Sequence, residues 1–409
     1  MNILILSDGF PPVSNAGAEN IAYITAKEYI NIGCSVTVVT INNKLSKGAI
    51  NFFTYDGIKI IQIGVKCNER FIAYASLYNF KIISILKKLI NNNDFNVAHI
   101  HNIHRYISYG VIGLLKDNKI KTILTTHDAM SIDYGKFTQG INPADLSINP
   151  AINMKVYPLN TLIRYRTAYN PFRNIIIKYY LNKVDKVVTV SNALEQLLNI
   201  NGITNTLTIH NGLPKLNNSI NTADKIKEFK SKYNIKKGDK VVLWAGRISI
   251  AKGIKQVIQL MDRIVQDKSD IKLFIAGGDI KVPMHLVKNI ILSGWLTKEE
   301  MLLAYNIANI TLVPSIYPDP FPTVVLESLR AGTPVIAGCF GGAKEAVVDK
   351  ETGYIINPFN TGDFYDKVCE ILDDDILHKD MSNKSIEIFN RNLNIDICMN
   401  KYMELIKEI

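Results

Sequence analysis

Short β-rich runs alternate with helical patterns along this chain, and the alternation begins twice. NILILS (2–7), SVTVVT (35–40), NVAHIH (96–101), KTILTT (121–126), KVVTVS (186–191) and TLTI (206–209) make one series, interrupted by helical patterns such as 19–32 and 107–118. After a polar, lysine-rich stretch, VVLWAG (241–246), KLFIAGG (272–278), ANITLVPS (308–315) and PVIAG (334–338) make a second. Strands that alternate with helices form a parallel sheet covered on both faces. The expected fold class is therefore α/β, with two doubly wound Rossmann-like domains facing a central cleft, because such sheets take ligands beyond the carboxyl ends of their strands. The expected boundaries are an acceptor-side domain over 1–214, a linker over 215–237 and a second domain over 238–390. A C-terminal amphipathic helix over 391–409 is expected to pack back toward the first domain. With 409 residues, 47% of them hydrophobic, the chain has apolar material for two cores.

Charge divides the halves more sharply than composition does. Residues 1–212 carry 21 Lys and Arg against 12 Asp and Glu, whereas 213–409 carry 26 against 25. The basic excess of the first half suits an anionic partner, either a membrane surface or a phosphate-bearing acceptor. KIISILKKLI (81–90) and RYRTAYNPFRNIIIKYY (164–180) mix cations with Ile, Phe and Tyr, a composition that fits an interfacial surface. The chain begins a strand at once with MNILILS, has no basic leader or cleavage signature, and has no apolar run near the roughly 20 residues needed to span a bilayer. A cytoplasmic protein, peripheral at the inner face of the membrane, is the expectation, with no nucleic-acid partner. The five cysteines are scattered, without a CxxC pair, so neither a disulfide framework nor a thiolate metal site is indicated.

Two stretches of the second half carry chemistry. AGRISIAKG (245–253) sets Arg247 and Lys252 just beyond a strand, with Gly246 and Gly253 permitting a close turn. Two cations on one loop suit a diphosphate, Arg by a bidentate fork and Lys by a mobile point charge. DPFPTVVLESLRAGTPVIAG (319–338) enters a helix through a Pro-rich turn. The free N–H groups and positive dipole end of that helix would hold an anion. Glu327 lies too far inside it to serve a phosphate and suits the vicinal hydroxyls of a ribose, since one carboxylate accepts two hydroxyl hydrogen bonds. Asp319, before the helix, would hold hydroxyls of a sugar on the other side of the phosphates.

These motifs, in this order, resemble the retaining glycosyltransferases of family 4, which have the GT-B fold. FPPVSNAGAEN (10–20) is similar to that family's Gly-rich first loop, THD (126–128) to its central His, and VSNAL (190–194) and HNGLP (210–214) to the end of its first domain. AGRISIAKG, FIAGG, SGWL (293–296) and DPFPTVVLESLRAGTPVIA are similar to its second domain. The resemblance runs from about residue 3 to about 358. It implies transfer of a sugar from a nucleoside-diphosphate sugar to an acceptor hydroxyl with retention of configuration, in cell-surface polysaccharide, lipopolysaccharide or glycolipid synthesis. It further implies that Arg247 and Lys252 bind the diphosphate, with backbone N–H groups of Thr323 and Val324 beside them and Gly17 letting the first loop approach. Glu327 becomes the ribose ligand, and Asp319 and His127 the contacts to the transferred sugar. Trp295 would bound the nucleobase or, alternatively, fill the core. No cofactor and no essential metal is implied. The sequence departs from the family pattern where Asp319 stands for the usual Glu and Pro322 for the usual Gly, which bears on the donor sugar that fits.

Other readings exist. HIHNIH (99–104) has the spacing of a zinc-hydrolase motif, with Ile103 where Asp should stand, so a metal-dependent hydrolase on His99, His101 and His104 is an alternative. A non-catalytic nucleotide-sugar-binding relative is another. A glycosidase on Asp319 and Glu327 would need both carboxyls flanking one glycosidic bond, which their helix-entry position beside cations does not suit.

Overall fold

A computed structural model describes residues 1–138, 140–216 and 222–409. Residues 217–221 of the expected linker therefore lie outside the described residues. The chain forms two units. The first comprises 1–137, 154–211 and 395–409, and the second 138–153 and 212–394. The segment 138–153, which the sequence assigns to the first domain, thus belongs to the second unit, where the Asn357 amide donates to the carbonyls of Asp145 and Ser147, each at 2.8 Å. The expected linker also contains a helix, Ala223–Lys232, capped by the Thr222 hydroxyl.

The first unit is built on strands β1 (Asn2–Ser7), β2 (Ser35–Asn42), β3 (Ile50–Tyr55), β4 (Ile58–Gly64), β5 (Val97–Ile100), β6 (Lys121–Thr126), β7 (Lys186–Thr189) and β8 (Thr206–Thr208). Their order across the sheet is β3-β4-β2-β1-β5-β6-β7-β8. Every pairing is parallel except β3 with β4, an antiparallel hairpin that the sequence reading did not single out. Ile3, Leu4, Ile5 and Leu6 of the central β1 are all fully buried. A strand paired on both edges and covered on both faces has no solvent side, which is why it is continuously apolar rather than alternating. The C-terminal helix Ile395–Glu408 completes this unit, its Tyr402 hydroxyl 2.8 Å from Thr125 Oγ1 on β6.

The second unit holds β9 (Lys240–Gly246), β10 (Ile271–Gly277), β11 (Ile290–Gly294), β12 (Ile310–Val313), β13 (Val335–Gly338) and β14 (Gly353–Ile356). They are all parallel, in the order β11-β10-β9-β12-β13-β14. In each sheet the chain winds outward one way from a first central strand and then the other way from its neighbour. The winding reverses between β1 and β5 in one sheet and between β9 and β12 in the other. Loops leaving the carboxyl ends of such a pair diverge and open a crevice, the usual ligand position in doubly wound sheets.

Candidate functional site

In the second unit, the loops after β9 and β12 bring together most of the residues singled out in the sequence. The loop after β9 ends in a short 3-10 turn, Ile250–Lys252, followed by Gly253 at φ +78°. A Cβ on residue 253 would stand 1.9 Å from the carbonyl oxygen of Pro314, so only glycine lets this loop lie against the one after β12. The Ile316 amide donates to the Ala251 carbonyl at 2.9 Å and ties the two loops together. Lys252 Nζ, so positioned, forms an ion pair with Asp319 Oδ2. Ser315 Oγ donates to the same oxygen at 3.0 Å. Asp319 is nearly buried, whereas Lys252 keeps about a quarter of its side chain exposed at 27%, so a ligand can reach the cation first. The Asp319 carbonyl accepts from the Gly342 amide at 2.8 Å, and a Cβ on Gly341 would meet that carbonyl oxygen at 2.3 Å. Arg247, at the end of β9, is exposed and makes no hydrogen bond or ion pair with a described residue.

The helix Thr323–Arg330 starts directly after this loop, with Pro322 before it. The amide of Val325 already donates to the Pro322 carbonyl at 3.0 Å, while those of Thr323 and Val324 have no partner among the described residues. These are the orphan donors of a helix start. Glu327 lies just over one turn in, where its Oε2 accepts from the Tyr305 hydroxyl at 2.8 Å. Burial pushes the Glu327 carboxyl up, and the Tyr305 hydrogen bond and the charges of Arg330 and Lys298 pull it back. Tyr305 is a part of the site that sequence reasoning missed; it sits within the helix Lys298–Ile307, and no local pattern marks it. Trp295 follows β11 and is 71% exposed, which removes the core reading of that residue. The tryptophan of the core is Trp244, whose indole N–H donates to the Lys252 carbonyl at 3.4 Å.

Gly17 and His127 belong to the first unit. Gly17 is exposed and opens the helix Gly17–Asn31. The Glu19 carboxylate, within the first turn, accepts from the Ala16 amide at 2.9 Å and from the Ser14 hydroxyl, which closes the Gly-rich loop back on the helix. His127 follows β6 and is held by a neighbour rather than by a carboxylate. Its Nε2 lies 2.9 Å from His101 Nδ1, with the rings stacked at 5.2 Å and 9°. His101 in turn stacks on His99 at 4.4 Å. Burial pushes the His127 imidazole down to about 4 and that of His99 to about 3, and holds His101 well below its ordinary value. The stack is therefore uncharged near neutral pH.

This geometry overturns the zinc-hydrolase alternative. His99 is fully buried and uses both ring nitrogens, Nδ1 at 3.0 Å from Tyr29 Oη and Nε2 at 2.8 Å from Thr125 Oγ1. His101 turns to His127, and His104 Nε2 lies 3.5 Å from Asp128. The three imidazoles share no centre. Asp8 has a separate task, accepting from the amides of Arg105, Tyr106 and Ile107 at 2.7 to 3.0 Å and fixing the loop after β5.

Two Rossmann-type units, each with its reversal point, define the GT-B class. The sucrose-phosphate synthase of Thermosynechococcus elongatus has the same fold, with a TM-score of 0.73 at 18% identity over 100% of this chain and 98% of that one. A structure of Anabaena HepE in complex with UDP-glucose superposes with a TM-score of 0.66 at 13% identity, covering 100% of each chain. Two family models match the sequence, Glycosyltransferase Family 4 over 15–214 and Glycosyl transferases group 1 over 225–388. The chain belongs to the family 4 glycosyltransferases. Among curated relatives, the lipopolysaccharide 1,2-N-acetylglucosaminetransferase of Salmonella typhimurium is 29% identical over 39% of this chain and 46% of its own length. This chain spans about half, or less, of the length of the first curated relatives it matches.

Proposed function

We propose that this protein transfers a glycosyl group from a nucleoside-diphosphate sugar to an acceptor hydroxyl, with retention of anomeric configuration. The observation that carries the reading is the Lys252–Asp319 pair at the reversal point of the second sheet, flanked by Arg247 and the amides of Thr323 and Val324, which have no partner among the described residues. Without a ligand, the two charges of the pair neutralise each other. A diphosphate competes for Lys252 with two negative charges against one, and Arg247 and the helix N-terminus add to that attraction. Asp319 is then free to accept hydroxyl hydrogen bonds from the sugar. The same cations stabilise the charge that grows on the leaving diphosphate as the glycosidic bond breaks. Glu327, oriented by Tyr305, is assigned to the ribose hydroxyls, and Trp295 to the side of the nucleobase.

His127 is assigned to the transferred sugar, as the family resemblance implies. An imidazole that stays neutral offers a hydrogen bond without adding a charge, so His127 orients the sugar rather than titrating during turnover. Gly17 keeps the first loop free of a side chain where the donor approaches. The reading asks for no metal ion, because the positive charge comes from Lys252, Arg247 and backbone donors. The acceptor is assigned to the class of sugars, glycolipids or polysaccharides, in keeping with the lipopolysaccharide relative and the basic first half. The protein is assigned to the cytoplasmic side of a membrane.

Calorimetry of the purified protein against UDP-, GDP-, ADP- and TDP-sugars, with and without EDTA, tests the proposal. Selective binding of one nucleotide sugar that persists in EDTA supports it and names the base. Folded protein that binds none of them refutes the donor assignment.

A further inference from the structure

The first unit carries two neighbouring segments that are rich in cations, free of acids and unusually apolar at the surface. From Arg70 to Asn93 the charged residues are Arg70, Lys81, Lys87 and Lys88, with no Asp or Glu. From Tyr157 to Val184 they are Arg164, Arg166, Arg173, Lys178 and Lys183, again without an acid. All of these are exposed except Arg173, which is buried. Phe71, Phe80, Leu159, Ile163, Phe172 and Ile175 are each more than half exposed, Phe80 at 80%. The segments adjoin: the Tyr74 hydroxyl donates to the Thr167 carbonyl at 3.4 Å, and the helix Gly110–Asp117 packs against both Phe80–Asn91 and Arg173–Leu181.

The structure also corrects the composition argument for 81–90. Ile82, Ile83, Leu86 and Ile90 of that stretch are buried, Ile85 and Leu89 are half-buried, and its exposed residues are Ser84 and the three lysines. The exposed apolar side chains come instead from Phe71, at the end of the 3-10 turn Glu69–Phe71, from Phe80, the first residue of the helix Phe80–Asn91, and from the helices Pro158–Tyr165 and Arg173–Leu181 with Phe172 before the latter.

We propose that this surface is a membrane-docking face that seats on an anionic phospholipid bilayer, with the aromatic and aliphatic side chains in the headgroup zone and the cations on lipid phosphates. Exposed Phe, Leu and Ile ringed by Lys and Arg match that boundary, where apolar groups enter the acyl edge and cations meet negative headgroups. A second copy of the chain is the poorer occupant, because a two-fold interface would set this acid-free surface against itself. None of the helices in the described residues is long and apolar enough to cross a membrane, so the contact lies along the surface. The proposal deepens the assignment of the protein to the cytoplasmic side of a membrane and rests on that reading.

The test is co-sedimentation of the full chain with phosphatidylcholine vesicles, with and without phosphatidylglycerol, at low and at molar salt. The expected result is at least tenfold preference for the anionic vesicles, lost at high salt. The triple variant Phe80→Ser, Phe172→Ser, Ile175→Ser is expected to weaken binding at least tenfold with unchanged melting, since all three side chains are exposed. Arg166→Glu with Lys178→Glu is expected to abolish the preference for anionic lipid. No vesicle binding at low salt, equal binding to both lipids, or full binding by the triple variant overturns the proposal. So does a dimer, seen by light scattering, that the triple variant dissolves. Calorimetry on the same preparation separates this surface from the donor site: nucleotide-sugar binding without vesicle binding refutes the surface alone, and vesicle binding without nucleotide binding refutes only the donor assignment.

Discussion

The two units put opposite electrostatics at their reversal points. In the second, the ion pair of Lys252 with the nearly buried Asp319 stands beside the exposed Arg247; in the first, His99, His101 and His127 form a stack that burial strips of charge. A charged cradle gains most from a ligand that carries charge and changes it during reaction, whereas a neutral stack contributes position. The contrast predicts that changes in the second unit act on donor binding and transition-state charge, and changes in the first on orientation.

Lys252→Ala should have the largest effect. It removes the cation and leaves Asp319 nearly buried without its partner, so kcat/KM should fall about 10²–10³-fold, as for loss of a preorganised charge stabiliser. Nucleotide-sugar affinity, measured by calorimetry, should fall with it. Unchanged affinity in a folded variant would break the comparison. His127→Gln should lower kcat on the order of tenfold to a hundredfold while leaving nucleotide affinity within about twofold, because it removes an orienting hydrogen bond and no charge. A fall in nucleotide affinity as large as that of Lys252→Ala would erase the distinction between the units.

Gly253→Ala tests how the charged site is held. With φ at +78° and the Pro314 carbonyl in the way, it should cost about 1–3 kcal/mol of stability and displace Lys252, visible as a lower Tm together with weaker nucleotide binding. A smaller effect is expected from acid on the neutral stack. His99 is held at about 3 in the folded protein against an ordinary value of 6.5, so between those values the unfolded chain binds the extra proton. Its contribution is therefore present above pH 6.5 and is lost as pH falls toward 3, with a slope of about 1.4 kcal/mol per pH unit at most. His99→Gln should flatten the dependence of unfolding free energy on pH across that window; an unchanged slope would show that His99 does not bury as a neutral ring. Trp295→Ala should be the mildest, within about 0.5 kcal/mol of wild-type stability, because the ring is 71% exposed. Any loss in such a variant should appear in the preference among nucleotide bases, read by the same calorimetry.

The strand runs alone determined the architecture. The fully apolar ILIL of β1 and VVLW of β9 demand burial on both faces, and a parallel sheet covered by helices supplies it. The loop chemistry of AGRISIAKG and DPFPTVVLES was legible for the same local reason, since cations beyond a strand end and a proline before a helix act through neighbouring backbone. Tertiary structure decided what depends on long-range approach. The Glu327–Tyr305 bond joins separate helices, the His101–His127 pair joins separate strand ends, and residues 138–153 settle in the second unit through Asn357. It also decided that the histidines of HIHNIH take separate partners rather than share a metal centre, because β5 sets His99 between Tyr29 and Thr125 while His101 meets His127 and His104 meets Asp128. Spacing along a strand gives the face on which a side chain lies, but the partners that use its lone pairs come from other elements, and only packing brings those together.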